Sequence, residues 1–229
     1  IKYSPRFKGK NKKYFSQKSQ ITVKDLLSHV SGLPAFKQYY RTDKSKESLL
    51  TSIYNTDPVQ NNRDTTIYSD VGAIILGDIV EKISGLNLDV FVDSMVFKPL
   101  GMNTTFYNPP GTKKHRIVPT EINSEGELIH GFVHDENAYS LGGVAGHAGL
   151  FSTAKDLAVF SQMMLNGGLY GWKRIFKTAT VNSFTSKAGI LDNSSRLLGW
   201  DSPAGLASGG VYLSDSSFGH TGFTGTSIW

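Results

Sequence analysis

Apolar residues recur along most of this chain at helical spacing, and the breaks between the runs carry helix-start and helix-stop residues. Thr22, followed three positions later by Asp25 and then by Leu26 and Leu27, predicts the capped start of a short helix that Ser31-Gly32-Leu33-Pro34 ends. A second helix is predicted over Glu47 to Tyr54, and Asn55 to Thr66, with Pro58, forms a polar connection. From Asp70 onward Gly72, Ile75, Leu76, Ile79, Val80 and Ile83 follow the i, i+3, i+4, i+7 rule, with Gly85 as the stop. Leu88 to Val96 predicts another helix, which Pro99 in Lys98-Pro-Leu-Gly101 should forbid from continuing. Asn108 to His147 lacks a clear period and reads mainly as loop, and loops of that length usually carry function. Ser152-Thr153 then caps a helix to about Asn166, with Ala154, Leu157, Ala158, Ser161, Met164 and Leu165 on one face and Gly167-Gly168 at its end. Thr178 to Ser186 predicts one more helix, and only about Ser208 to Trp229 has the short β-rich runs and glycines of neighbouring strands. Helices first and sheet last make an α+β layout: one domain over 1–229, helical and looped to about 207 and stranded from about 208.

Composition narrows the classes. With 229 residues, 39% of them hydrophobic and 11% aromatic, the chain can bury a sizeable core. The net charge of +5 suggests nucleic acid until it is located. Lys2, Arg6, Lys8, Lys10, Lys12, Lys13, Lys18 and Lys24 all precede the first acid, Asp25, and leave 16 basic against 19 acidic side chains in the remainder. A basic leading segment without stacking motifs reads as a solvated surface rather than a nucleic-acid arm. The absence of cysteine excludes disulfides, zinc-thiolate sites and cysteine nucleophiles, and no apolar run is long enough to span a bilayer. The chain opens at Ile1 without a methionine, so its true beginning is expected upstream.

Five stretches, in a fixed order, carry a resemblance. They are Ile21-Thr-Val-Lys-Asp-Leu-Leu-Ser-His-Val-Ser-Gly-Leu-Pro34, Tyr68-Ser-Asp70, Lys98-Pro-Leu-Gly-Met102, Gly146-His-Ala-Gly-Leu-Phe-Ser-Thr-Ala154 and Gly219-His-Thr-Gly-Phe-Thr-Gly225. Together they resemble the serine β-lactamase-like hydrolases, which include penicillin-binding proteins, class C β-lactamases and related esterases. Val133-His-Asp-Glu-Asn-Ala138 and Leu141-Gly-Gly-Val-Ala-Gly146 are similar to a cell-wall subgroup, either 4B-type penicillin-binding proteins or domains fused to β-N-acetylglucosaminidases. The resemblance implies an incomplete β-lactamase/transpeptidase-like fold, with the helical region and the first strands of the C-terminal sheet. It also implies a bacterial periplasmic or envelope location, a small-molecule or cell-wall peptide substrate, and no cofactor or metal.

The family chemistry is acyl transfer through a serine, using Ser-x-x-Lys, then Tyr-x-Asn or Ser-x-Asn, then Lys-Thr-Gly or His-Thr-Gly. Serine is a weak nucleophile at its free pKa, so an amine and a phenol must take its proton as it attacks. Tyr68 matches the phenol. Asp70 stands where the wider family usually has asparagine; an ionised aspartate only accepts hydrogen bonds, which suits a lysine ammonium and weakens a contact to a substrate carbonyl. Asp70 reads equally as the cap of the following helix. His220-Thr221-Gly222 resembles the third motif, in which a cation or donor and a hydroxyl hold the substrate, and the Phe223 amide would serve an oxyanion hole. Gly222 is expected where the backbone meets the substrate closely. His147 enters as a candidate supporting hydrogen-bond partner at the cleft edge.

Only Ser152-Thr-Ala-Lys155 has the Ser-x-x-Lys spacing. It falls after Tyr68, at a helix start where Asp156 would complete a capping box, so it reads as structural. By the same resemblance the nucleophile is expected before Ile1 and the rest of the sheet after Trp229. His130 and His134 have the i, i+4 spacing of a zinc site, but no Glu follows the first histidine and the segment is broken by glycine. The leading reading is a serine hydrolase of a cell-wall peptide, an ester or a β-lactam, with this chain alone inert. The alternatives are a non-catalytic accessory domain on the same fold, and a basic peripheral protein held on anionic envelope polymers by residues 1 to 24.

Overall fold

The computed structural model describes residues 5–43, 45–192, 194–203 and 209–229. Nine α-helical segments succeed one another among the described residues: α1 (Phe15–Ser19), α2 (Val23–Leu27), α3 (Lys46–Tyr54), α4 (Asp70–Ser84), α5 (Leu88–Val92), α6 (Lys98–Leu100), α7 (Glu136–Ser140), α8 (Ala154–Leu165) and α9 (Thr178–Thr185). Eight two-residue strands pair into four antiparallel ladders: β1 (Phe106–Tyr107) with β4 (Leu150–Phe151), β2 (Glu121–Ile122) with β3 (Leu128–Ile129), β5 (Leu169–Tyr170) with β6 (Lys173–Arg174), and β7 (His220–Thr221) with β8 (Ser227–Ile228). The layout is α+β, as the periodicity implied, but strands are not confined to the end of the chain. Ser208, the expected start of the stranded region, lies outside the described residues.

The segment from Asn108 to His147 is more ordered than its sequence suggests. It holds a 3-10 turn over Gly111–Arg116, the β2–β3 hairpin and α7. Two-residue strands are too short to display a period of two. Their register comes instead from the turn, where Asn123 Oδ1 accepts hydrogen bonds from the amides of Glu125 and Glu127.

Helix α2 starts as expected, because the Thr22 hydroxyl accepts the Asp25 amide while the Asp25 carboxylate accepts the Thr22 amide. Helix α4 stops at Gly85, in the left-handed conformation at φ 72°. Beyond α5 the proline did not end the helical run. The backbone loosens into a π turn over Asp93–Phe97 and restarts as α6 with Pro99 in its first turn, where no intrahelical donor is needed. Helix α8 lies rotated from the expected face: Leu165 is 70% exposed, whereas Met163 and Met164 are buried and Val159 and Phe160 pack with them. The cause is Asp156, whose carboxylate accepts from the Thr104 amide and from the hydroxyls of Thr104 and Thr105, turning that side inward. Its carboxylate therefore serves Thr104 and Thr105, and the cap at Thr153 is the one-way bond from the Asp156 amide.

Two apolar clusters form the core. The first gathers α2, α3 and α4 with Phe7, Tyr39, Val133 and Ala138; the second joins Phe97, Leu100 and Met102 to α8 and Val181, with Trp200 and Phe218 packed on it. Helix α4 is buried on more sides than one stripe predicts, Val71 and Ile74 included. A loop crosses it so closely that a Cβ on Gly146 would lie 2.2 Å from the Ala73 carbonyl oxygen.

Candidate active site

Tyr68 immediately precedes α4, and the loop after α2 holds it there. The Ile67 amide donates to the His29 carbonyl (2.9 Å), the Ser69 amide to His29 Nδ1 (3.1 Å), and the Asp70 amide to the Ala35 carbonyl (2.9 Å). Ser69 also gives its hydroxyl to the Pro34 carbonyl and accepts the Gly72 amide. The helix cap is therefore Ser69, with Asp70 as the first helical residue, which removes the capping reading of Asp70. His29 adopts a left-handed φ of 57°, a conformation uncommon for a side chain with a Cβ, and this turns its ring toward the tyrosine.

His220 arrives from the other end of the chain. Asp201 pairs through both backbone bonds with Gly219 and bridges Arg196 as well, so Asp201 lies between Arg196 and the start of β7 and the Arg196 side chain reaches across it to His220. Trp200 and Phe218, with ring centres 5.4 Å apart, fix this corner to the second core cluster. The rings of Tyr68 and His220 then lie 5.5 Å apart, and the His29 ring lies 4.5 Å from that of Tyr68. The Arg196 guanidinium stands 5.4 Å from the centre of the Tyr68 ring and donates to His220 Nε2 at 3.2 Å. A cavity of about 130 Å³ opens beside it, lined in part by Ser28, Lys187, Asp192 and Ser194.

The electrostatics follow from this crowding. Burial raises the Tyr68 phenol above its usual value and Asp70 adds to the rise, while Arg196 acts in the opposite sense. Asp70 is itself raised, by burial first and by Asp135, against the influence of His147. His29 is driven down to about 3 by burial, with Arg196 and His220 contributing, so its Nδ1 is free to accept the Ser69 amide.

The other expected positions are distributed around this pair. Thr221 pairs with Ser227 in the β7–β8 hairpin, and its carbonyl lies 2.6 Å from His220 Nδ1. Gly222 has an intramolecular reason to be glycine, because a Cβ there would lie 2.4 Å from Thr226 Oγ1. Phe223 sits at the tip of the turn, 93% exposed, with its ring 5.6 Å from His134. His147 is bonded through Nε2 to Asp135 at 2.8 Å, and its Nδ1 is buried without a partner. Asp135 in turn caps α7 and is held below the usual carboxylate range: burial opposes this, but His147 and the α7 amides outweigh it.

Ser152 lies between β4 and α8 with its hydroxyl 2.7 Å from that of Thr105. His130 binds the carbonyls of Lys114 and Ile117, and His134 contacts Glu121 and Thr120. Among the described residues no group of three or more His, Cys, Asp or Glu could hold a metal ion, and no helix is long and apolar enough to cross a membrane. Sequence pattern alone passed over His29 and Arg196. His29 lay inside a quoted motif, but nothing in the spacing drew Arg196, 24 positions before His220, to the site.

Known proteins resemble this chain in sequence or in fold. A protein of Salmonella gallinarum with the provisional name D-alanyl-D-alanine carboxypeptidase is 38% identical over 250 residues, which take in 98% of this chain and 57% of that protein. A Salmonella typhi protein with the same name gives the same figures. A penicillin-binding protein homolog from Caulobacter crescentus superposes with a TM-score of 0.68 at 17% identity, over 96% of this chain and 63% of that one. The octameric penicillin-binding protein homologue from Pyrococcus abyssi gives 0.64 at 19%, over 90% and 47%. At these identities the solved structures speak for the fold alone. The chain thus spans little more than half the length of the Salmonella relatives. The beta-lactamase family model matches residues 1–229 throughout, and the chain belongs to that family.

Proposed function

We propose that this chain is the Tyr68 and His220 part of a serine hydrolase that acts on a cell-wall peptide ending in D-alanine, in the bacterial envelope. The observation that carries the reading is the convergence of Tyr68 and His220, 152 positions apart, to a ring separation of 5.5 Å. The carboxypeptidase name of the 38% identical relatives supports the substrate class. In this reading a serine hydroxyl attacks the peptide carbonyl and passes its proton to the Tyr68 phenol oxygen, whose own proton moves to the neutral amine of the relay. Tyr68 then returns that proton to the leaving amine, and a water repeats the sequence to release the acyl group. Thr221 orients the substrate, the Phe223 amide donates to the developing oxyanion, and Asp70 accepts from an ammonium that shares the proton relay.

The nucleophile is expected from a Ser-x-x-Lys segment outside these 229 residues, because Ser152, the sole serine here with that spacing, packs on Thr105 at the start of α8. A fluorescent penicillin tests this. The 229-residue chain should remain unlabelled, and a longer protein that joins it to an upstream Ser-x-x-Lys segment should label covalently and release D-alanine from a D-alanyl-D-alanine peptide. Covalent labelling of Ser152 in the chain itself, or a longer protein that neither labels nor releases D-alanine, would overturn the reading.

A further inference from the structure

Arg196 has a geometry that assigns roles to its neighbours. Its side chain is 18% exposed, and its Nη1 lies 3.2 Å from His220 Nε2 and 3.8 Å from the Asp201 carboxylate. A guanidinium nitrogen can only donate, so His220 Nε2 must accept. On the opposite side of the ring, Nδ1 faces the Thr221 carbonyl oxygen at 2.6 Å, and that oxygen can only accept. Each partner therefore permits one role, and the two roles agree on a single tautomer with the hydrogen on Nδ1. A hydrogen on Nε2 would oppose the N–H of Arg196.

We infer that Arg196 is the positioning residue of the groove: it holds His220 as the Nδ1–H tautomer and supplies, in place of the imidazole, a fixed positive charge beside Tyr68. This deepens the hydrolase reading and rests on it only for its catalytic meaning. The Arg196 guanidinium faces Tyr68, His220 and Asp201; the His29 ring lies 4.5 Å from that of Tyr68, Asp70 is two residues along, and Lys187 and Asp192 line the cavity beside Arg196. The cation favours the phenolate of Tyr68, against burial and Asp70. The family's third motif opens with a lysine or a histidine, and the geometry here separates the tasks of that residue. His220 keeps the shape of the groove edge, and Arg196 carries the charge.

Long-range nitrogen–proton NMR of the nitrogen-15-labelled chain reads the tautomer directly. In the unaltered protein His220 should give a protonated Nδ1 and a bare Nε2. Arg196→Lys should preserve that pattern, because an ammonium also only donates. Arg196→Gln should reduce its share in favour of the other tautomer, because an amide can accept as well as donate, with the Thr221 carbonyl alone still favouring Nδ1–H, while the Nδ1 signature of His29 stays unchanged and reports an intact fold. A protonated Nε2 in the unaltered chain, or an unchanged His220 pattern in Arg196→Gln, would overturn the inference. Penicillin labelling of the longer protein separates the two ideas: failure to label with the expected NMR pattern sinks the hydrolase reading alone, and labelling with the wrong tautomer sinks the role of Arg196 alone.

Discussion

Arg63 and Arg196 each stand beside an aspartate, yet Arg63 closes on Asp25 through two bonds of 2.8 Å, whereas Arg196 stays 3.8 Å from Asp201 and turns its donor to His220. The first pair is saturated. The Asp25 carboxylate also takes the Thr22 amide and hydroxyl, so four donors from α2's cap and the connection to α4 converge on it. The second pair leaves its arginine oriented but available. The difference teaches that an arginine–aspartate pair closed on itself beside α2 is a fastener, and an open pair beside Tyr68 and His220 is an instrument. What separates them is geometry around the guanidinium, not residue type.

The comparison breaks most sharply on Tyr68. In the longer protein Tyr68→Phe should lower the rate of penicillin labelling by roughly 10²–10⁴-fold, the range for a positioned proton-transfer group. Its thermal midpoint should hardly move, because the tyrosine is 41% exposed. A variant that labels at the unaltered rate would put the open pair on the same footing as the closed one.

Arg63→Met should do the reverse. It leaves Asp25 buried without its guanidinium and should cost roughly 2–3 kcal/mol, a value reduced from that of a fully buried pair because Arg63 is 47% exposed. Urea unfolding of the chain measures it, and labelling of the longer protein should survive. The acid limb carries the same signature. Burial alone would raise Asp25, but Arg63 and Thr22 outweigh it and hold the carboxyl below the usual range. Its stabilisation is therefore complete above the unfolded value of about 4 and disappears as pH falls through the lower folded value. Arg63→Met should flatten that limb.

A smaller effect is expected where the glycine loop crosses α4. Gly146→Ala sets a Cβ against the Ala73 carbonyl and should cost about 1–3 kcal/mol, read as a lower urea midpoint with an unchanged slope.

Lys18 should give a change of opposite sign with pH. Its buried amine donates to the carbonyls of Tyr54 (2.6 Å) and Thr56 (3.0 Å), and burial, resisted by Asp57, lowers it to about 8. The unfolded chain binds the proton more tightly, so stability should rise as pH climbs from about 8 to 10.5, and a neutral amine can still donate both bonds. Lys18→Met should lack the rise.

Much of the helical framework was legible because its signals are local. The Thr22–Asp25 box, the run from Asp70 and the glycine at position 85 each act through neighbours within a turn or two. Pro99 and α8 were misread for a shared reason, since local rules could not foresee a π turn before the proline or Thr104 and Thr105 reaching across to Asp156. Tyr68 and His220 could be nominated from motif resemblance, but the phenol's environment depends on His29 and Arg196, which approach from segments far apart in sequence.

By itself, then, the sequence determined the α+β layout, the start of α2 and the stop of α4, because capping, periodicity and glycine conformation are short-range, while motif resemblance nominated Tyr68 and His220. The tertiary structure alone decided that Ser69 rather than Asp70 caps α4, that Arg196 belongs to the site, and that His220 bonds through both ring nitrogens. Those outcomes depend on distances between side chains brought together by packing, and no local pattern along the chain encodes such distances.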